Sequence, residues 1–84
     1  MNLIDSVNIQ MAEKHQEILL SFMTLKTNHV AMEAAKSAIS CELSGRPVTK
    51  IRRNPPEHGK NLWTAYHGFS VVAWITLNEK TVMS

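Results

Sequence analysis

Cysteine is almost missing from this chain of 84 residues: Cys41 is the only one. An intrachain disulfide and a multi-cysteine zinc site are therefore excluded, and the composition fits a reducing compartment. Lying in a helical stretch with no neighbouring cation to lower its pKa, Cys41 reads as a buried or half-buried small hydrophobe. Glycine is scarce as well. Gly45, Gly59 and Gly68 each fall at an expected turn, so neither the phosphate-cradling loop nor the dinucleotide-binding glycine pattern exists. Long apolar runs are missing too, because Asp5, Asn8, Glu13 and Lys14 interrupt the first one. No bilayer span or signal-peptide core results, and the expected location is cytoplasmic, in a host cell, with no membrane partner.

The catalytic vocabulary is equally thin. In the second half the only carboxylates are Glu57 and Glu79, far apart in sequence, which gives no pair for acid-base hydrolysis. His15, His29, His58 and His67 form no close pair at metal-ligand spacing and read as exposed or capping residues. No serine sits in a nucleophile-elbow setting. These absences lead us to expect a binding protein rather than an enzyme, with no cofactor and no metal.

What is present is ordinary globular material, 44% hydrophobic and 19% charged. A chain of this length makes one domain, 1–84, with a core near the lower limit of sufficiency, so a second copy covering an apolar face is one way to supplement it. Charge is distributed unevenly. Residues 1–45 carry Asp5, Glu13, Glu17, Glu33 and Glu42 against Lys14, Lys26 and Lys36. Residues 46–84 carry Arg46, Lys50, Arg52, Arg53, Lys60 and Lys80 against Glu57 and Glu79. The second half is thus basic and suits an acidic partner.

The clearest element is a helix from about 28 to 43. Thr27 or Asn28 caps its start, Met32, Ala35, Ile39 and Leu43 recur on one face, and Ser44, Gly45 and Pro47 end it. Beyond it the residues favour strands at Val48–Arg53, Leu62–His67 and Phe69–Leu77, with a Pro- and Gly-containing loop over Asn54–Asn61 and a turn at His67 and Gly68. On the last strand Phe69, Val71, Ala73, Ile75 and Leu77 are expected on the core face. Glu17–Lys26 suits a strand, although Ile4, Met11, Ile18, Leu25, Met32 and Ile39 also recur at the seven-residue spacing of a long helix or helical hairpin. The strand reading gives a more compact unit. Residues 3–16 then form a short N-terminal helix. The expected fold is α+β, one main helix on a three- to four-stranded antiparallel sheet.

One segment combines cations with rings. Arg46, Lys50, Arg52 and Arg53 lie on or beside the first strand after the helix, Lys60 on the loop, and Trp63, Tyr66, His67 and Trp74 on the hairpin. Cations tracking phosphates and rings stacking on bases can hold single-stranded nucleic acid. The same residue types dominate protein interfaces. Two structural roles compete with both: tryptophans closing the ends of a small sheet, and Lys50 and Arg52 as edge charges that deter aggregation.

The order of parts resembles that of small phage-encoded inhibitors of the type I-E anti-CRISPR kind. The resemblance rests on Ala34-Ala35-Lys36-Ser37-Ala38 in the helix, the basic strand after it, and Ala65-Tyr66-His67 on the hairpin. It implies a non-enzymatic inhibitor that binds a host protein or ribonucleoprotein complex and blocks access to it. Inhibitors that mimic DNA present acidic surfaces, whereas this chain is basic where it is most distinctive. A contact with guide RNA, DNA or an acidic protein patch is the corresponding expectation, and direct nucleic-acid binding is the alternative.

Overall fold

Alternation with a period of two dominates the observed structure, a computed structural model that describes residues 2–55 and 62–81. Five strands and one helix follow in the order β1 (Asn2–Met11), β2 (Glu17–Lys26), α1 (Asn28–Glu42), β3 (Lys50–Arg53), β4 (Leu62–His67) and β5 (Ser70–Thr81). The strands form one antiparallel sheet in the order β2-β1-β5-β4-β3, and α1 packs on one of its faces. β2 and β3 are therefore its edges.

The fold is α+β with one helix, as the sequence suggests, but the sheet has five strands and the N-terminal segment is β1 rather than a helix. The reason lies in one residue. Asp5 is a bulge: β1 pairs Ile4 with Glu79 and then Ser6 with Asn78, leaving Asp5 without a partner on β5. An inserted residue reverses the alternation, so Ile4 faces the helix and the inward set resumes at Val7, Ile9 and Met11. A spacing of three followed by twos breaks the strict alternation by which a strand is recognised in a sequence. Against β2 the same point is more irregular, since the partner jumps from Lys26 to Ser21 and Phe22 to Leu25 lie opposite Asp5. Asn78 holds the outer side of this break, its Nδ2 donating to Ser6 Oγ at 2.9 Å and Asn8 Oδ1 at 2.7 Å.

Glu17–Lys26 is a strand with the bounds the sequence suggests, and the seven-residue repeat does not mark a helix. Ile18, Leu20 and Phe22 are half-buried against the core, while Leu19 and Met23 point away from it. Helix α1 begins at its expected cap: Thr27 Oγ1 accepts from the Val30 amide at 3.3 Å. Ala31, Ala35 and Ile39 are fully buried, and small side chains at two of these positions let the helix approach the sheet closely. Met32 is only half-buried, Leu43 caps the C-terminus, and Ser44 and Gly45 take positive φ. Cys41 is exposed rather than buried: it falls on the side of α1 away from the sheet.

The core comprises Ile4, Val7, Ile9 and Met11 of β1, Ala73, Ile75 and Leu77 of β5, Ala65 of β4 and the buried helix residues. A second bulge corrects the expected face of the last strand. Ala65 pairs with Ala73 but Tyr66 pairs with Val71, so Val72 is the extra residue and is itself buried. Phe69 and Val71 consequently stand outside the core. The turn is also shifted by one: His67 pairs with Ser70, leaving Gly68 and Phe69 as the loop. A positive φ of 63° at Gly68, with none at Phe69, is the type II′ pattern, which needs glycine at its first central position.

Candidate functional site

Because α1 covers one face of the sheet, the other is left open, and strand pairing decides which side chains share it. Opposite residues on antiparallel strands project to the same side. One row crosses all five strands: Arg52, Thr64, Trp74, Gln10 and Glu17. A second contains Lys50, Tyr66 and Val71, and a third Leu62, Thr76, Asn8 and Leu19. The open face therefore collects Lys50, Arg52, Tyr66 and Trp74 from the sequence-predicted set.

Trp74 is 38% exposed on the central strand β5, and Tyr66 is half-buried on β4. Strands lie about 4.8 Å apart, so Arg52 is roughly 10 Å from Trp74 across the sheet. The side chains of Lys50 and Arg52 make no hydrogen bond or ion pair among the described residues. Both lie on the short edge strand β3, where charge also discourages edge-to-edge pairing. Phe69, which the sequence places in the core, completes the patch: at the tip of the β4-β5 hairpin it is fully exposed and lines a cavity of about 270 Å³ with Lys50, Arg52, Tyr66 and Gly68. The Gly68-Phe69 pair after a run of strand residues is the signal that identifies it as a loop residue.

The hairpin tip is held to the entrance of β3 by a compact network. Thr49 N donates to Tyr66 O at 2.8 Å, Gly68 N donates to Thr49 Oγ1 at 2.8 Å, and Thr49 Oγ1 donates to Tyr66 O at 3.2 Å. His67 Nδ1 donates to Pro47 O at 2.8 Å. His67 thus fixes the segment leading into β3 and is not displayed beside Tyr66. On the outer face Thr64, buried, donates from Oγ1 to Asn54 Oδ1 at 2.6 Å and anchors the end of β3.

The remaining predicted residues sit elsewhere. Trp63 and Arg53 pair with each other on the helix-facing side, where Trp63 packs against the core and the Arg53 guanidinium lies 5.5 Å from its ring centroid. The Trp63 Nε1 is buried with no hydrogen-bond partner among the described residues. Arg46 lies in the segment after α1 and donates to Glu13 through Nη2 at 2.9 Å and Nη1 at 3.4 Å. That guanidinium, by hydrogen bond first and by charge second, holds the Glu13 carboxyl below the usual range. Lys60 falls outside the described residues, as does most of the Asn54–Asn61 loop. Among the described residues, no three His, Cys, Asp or Glu side chains group to hold a metal, and no helix is long and apolar enough to cross a membrane.

The arrangement can do two things chemically: present flat rings for stacking, and place beside them two cations that have no partner among the described residues. Comparison with known proteins returned no matching family model, no matching curated protein and no matching solved structure.

Proposed function

We propose that this protein is a non-enzymatic binding module that holds single-stranded nucleic acid on the open face of its sheet. The observation that carries the reading is the grouping of Tyr66 and Trp74 on neighbouring interior strands with Lys50 and Arg52 on the adjacent edge. Every base has a face to stack, and each stacked base contributes about 1–3 kcal/mol by alanine substitution. Lys50 and Arg52 then meet the phosphates that flank the stacked bases.

Titration of labelled ten-nucleotide DNA and RNA strands tests this directly. Binding to single strands should weaken with salt, with a slope of about −0.7 in log K against log salt for each phosphate neutralised. Lys50→Ala with Arg52→Ala should reduce that slope by about 1.4 while far-UV circular dichroism stays unchanged. Absence of binding at low salt refutes the reading.

A second reading is an inhibitor of a host macromolecular complex that docks on an acidic protein surface. Phe69 favours it, since a fully exposed ring that lines a cavity with Arg52 and Tyr66 combines the residue types enriched at protein interfaces. That mode would depend on Phe69 and vary only modestly with salt. The phage-inhibitor resemblance is compatible with either mode, through RNA or through protein.

A further inference from the structure

The open face is not uniform from one edge to the other. Beyond Trp74 the cations give way to a cavity of about 250 Å³ lined by Trp74, Gln10, Glu17, Asn8, Thr76 and Leu62. Its polar groups differ in commitment. Asn8 already accepts from Asn78 at 2.7 Å, whereas the side chains of Gln10 and Glu17 make no hydrogen bond or ion pair among the described residues. Gln10 is half-buried and directly opposite both Trp74 and Glu17. A half-buried carboxamide with unused donors and acceptors, next to a partly exposed indole, has the hydrogen-bonding capacity to read a flat polar ring.

We propose that this cavity is a base-reading subsite selective for bases that carry an exocyclic amino group. This rests on the single-strand reading of the open face and adds direction to it. With Lys50 and Arg52 on the β3 side and Glu17 on the β2 edge, the backbone lies over β3 and β4 and the base points toward β1 and β2. One base stacks on Trp74. Its amino group donates to the Glu17 carboxylate, and the Gln10 carboxamide, donor and acceptor at once, meets the neighbouring ring nitrogen or carbonyl. Thymine and uracil present carbonyl oxygens on the same edge and meet a carboxylate acceptor unfavourably. Glu17 would weaken backbone binding if phosphates crossed it, and its position on the far side from Lys50 and Arg52 assigns it to the base end of the nucleotide.

The test compares ten-nucleotide oligo-dC and oligo-dT at one salt concentration, avoiding guanine runs, which self-associate, and adenine runs, which self-stack. The expected preference for dC is about five-fold, the low end for a good side-chain to base pairing because Glu17 is exposed. Glu17→Gln and Gln10→Ala should each erase most of it, Glu17→Gln in part by relieving the carboxylate's repulsion of the thymine carbonyl and so raising dT affinity, whereas Trp74→Ala should lower both affinities. Equal binding of dC and dT, or a preference that survives both Gln10→Ala and Glu17→Gln, overturns the subsite while leaving the stacking platform intact. No binding of either oligonucleotide overturns both.

Discussion

The two tryptophans should respond unequally to truncation, because the sheet puts them on different faces. Trp63 lies on the side of the sheet that carries the core and packs against it; Trp74 lies on the open side with more than a third of its surface in contact with solvent. Replacing a core tryptophan by alanine costs about 3–5 kcal/mol, and for the half-buried Trp63 we expect about 2–3 kcal/mol. Trp74 contributes through its two cross-strand neighbours, Thr64 and Gln10, at about 0.2–1 kcal/mol each, so Trp74→Ala should cost about 1 kcal/mol. In a domain of this size each kcal/mol moves Tm by about 4–8 °C. Urea and thermal unfolding followed by far-UV circular dichroism, which does not depend on the indole that is removed, should separate the variants. A phenylalanine pair adds a control. Trp63→Phe removes a buried N–H that has no partner among the described residues, and leaving such a donor unpaired costs about 1–3 kcal/mol. That gain offsets much of the lost ring area, and Trp63→Phe should be close to neutral. If Trp74→Ala destabilised as much as Trp63→Ala, the face carrying Trp74 would be a core face, and the binding site assigned to it would fall.

Two further outcomes test the elements that frame the site. Gly68→Ala places a Cβ that meets nothing within 4 Å, so its cost is the positive φ alone, about 1–2 kcal/mol, read as a lower urea midpoint with an unchanged slope. The Glu13 carboxyl is held low by Arg46, so the pair's stabilisation is fully present above the usual carboxylate range and is lost as pH falls through the lowered folded value. Glu13→Gln should therefore flatten a small acid-side decline in Tm, more visibly at low salt than at high, and an unchanged pH profile would rule the pair out as a contributor.

How legible the site was depended on whether local chemistry or strand pairing decided a residue's place. The Thr27 cap, the Ser44-Gly45 stop, the strand bounds at Glu17–Lys26 and Leu62–His67, and the basic, ring-bearing character of the second half all follow from residue types acting on their own neighbours. Lys50, Arg52, Tyr66 and Trp74 were identifiable in the same way. Their separation from Trp63 and Arg53 was not, since adjacent residues on a strand differ only in the face they project to. Gln10 and Glu17 carry no signal at all in a linear reading: they come from two other strands and meet Trp74 only across the sheet.

The sequence by itself determined the helix, the run of strands after it, the excess of cations in the second half and the lack of any local catalytic or metal-binding motif, because each of these is set by composition or by interactions a few residues apart. The tertiary structure alone decided which side every strand residue faces. Bulges at Asp5 and Val72 each shift the two-residue alternation by one position, which hid β1 from a linear reading and moved Val71 from the expected core to the open surface, while the turn at Gly68 and Phe69 took Phe69 out of the strand. A bulge is defined by two residues on one strand opposing one on another, so its position becomes visible only when the partner strand is in place.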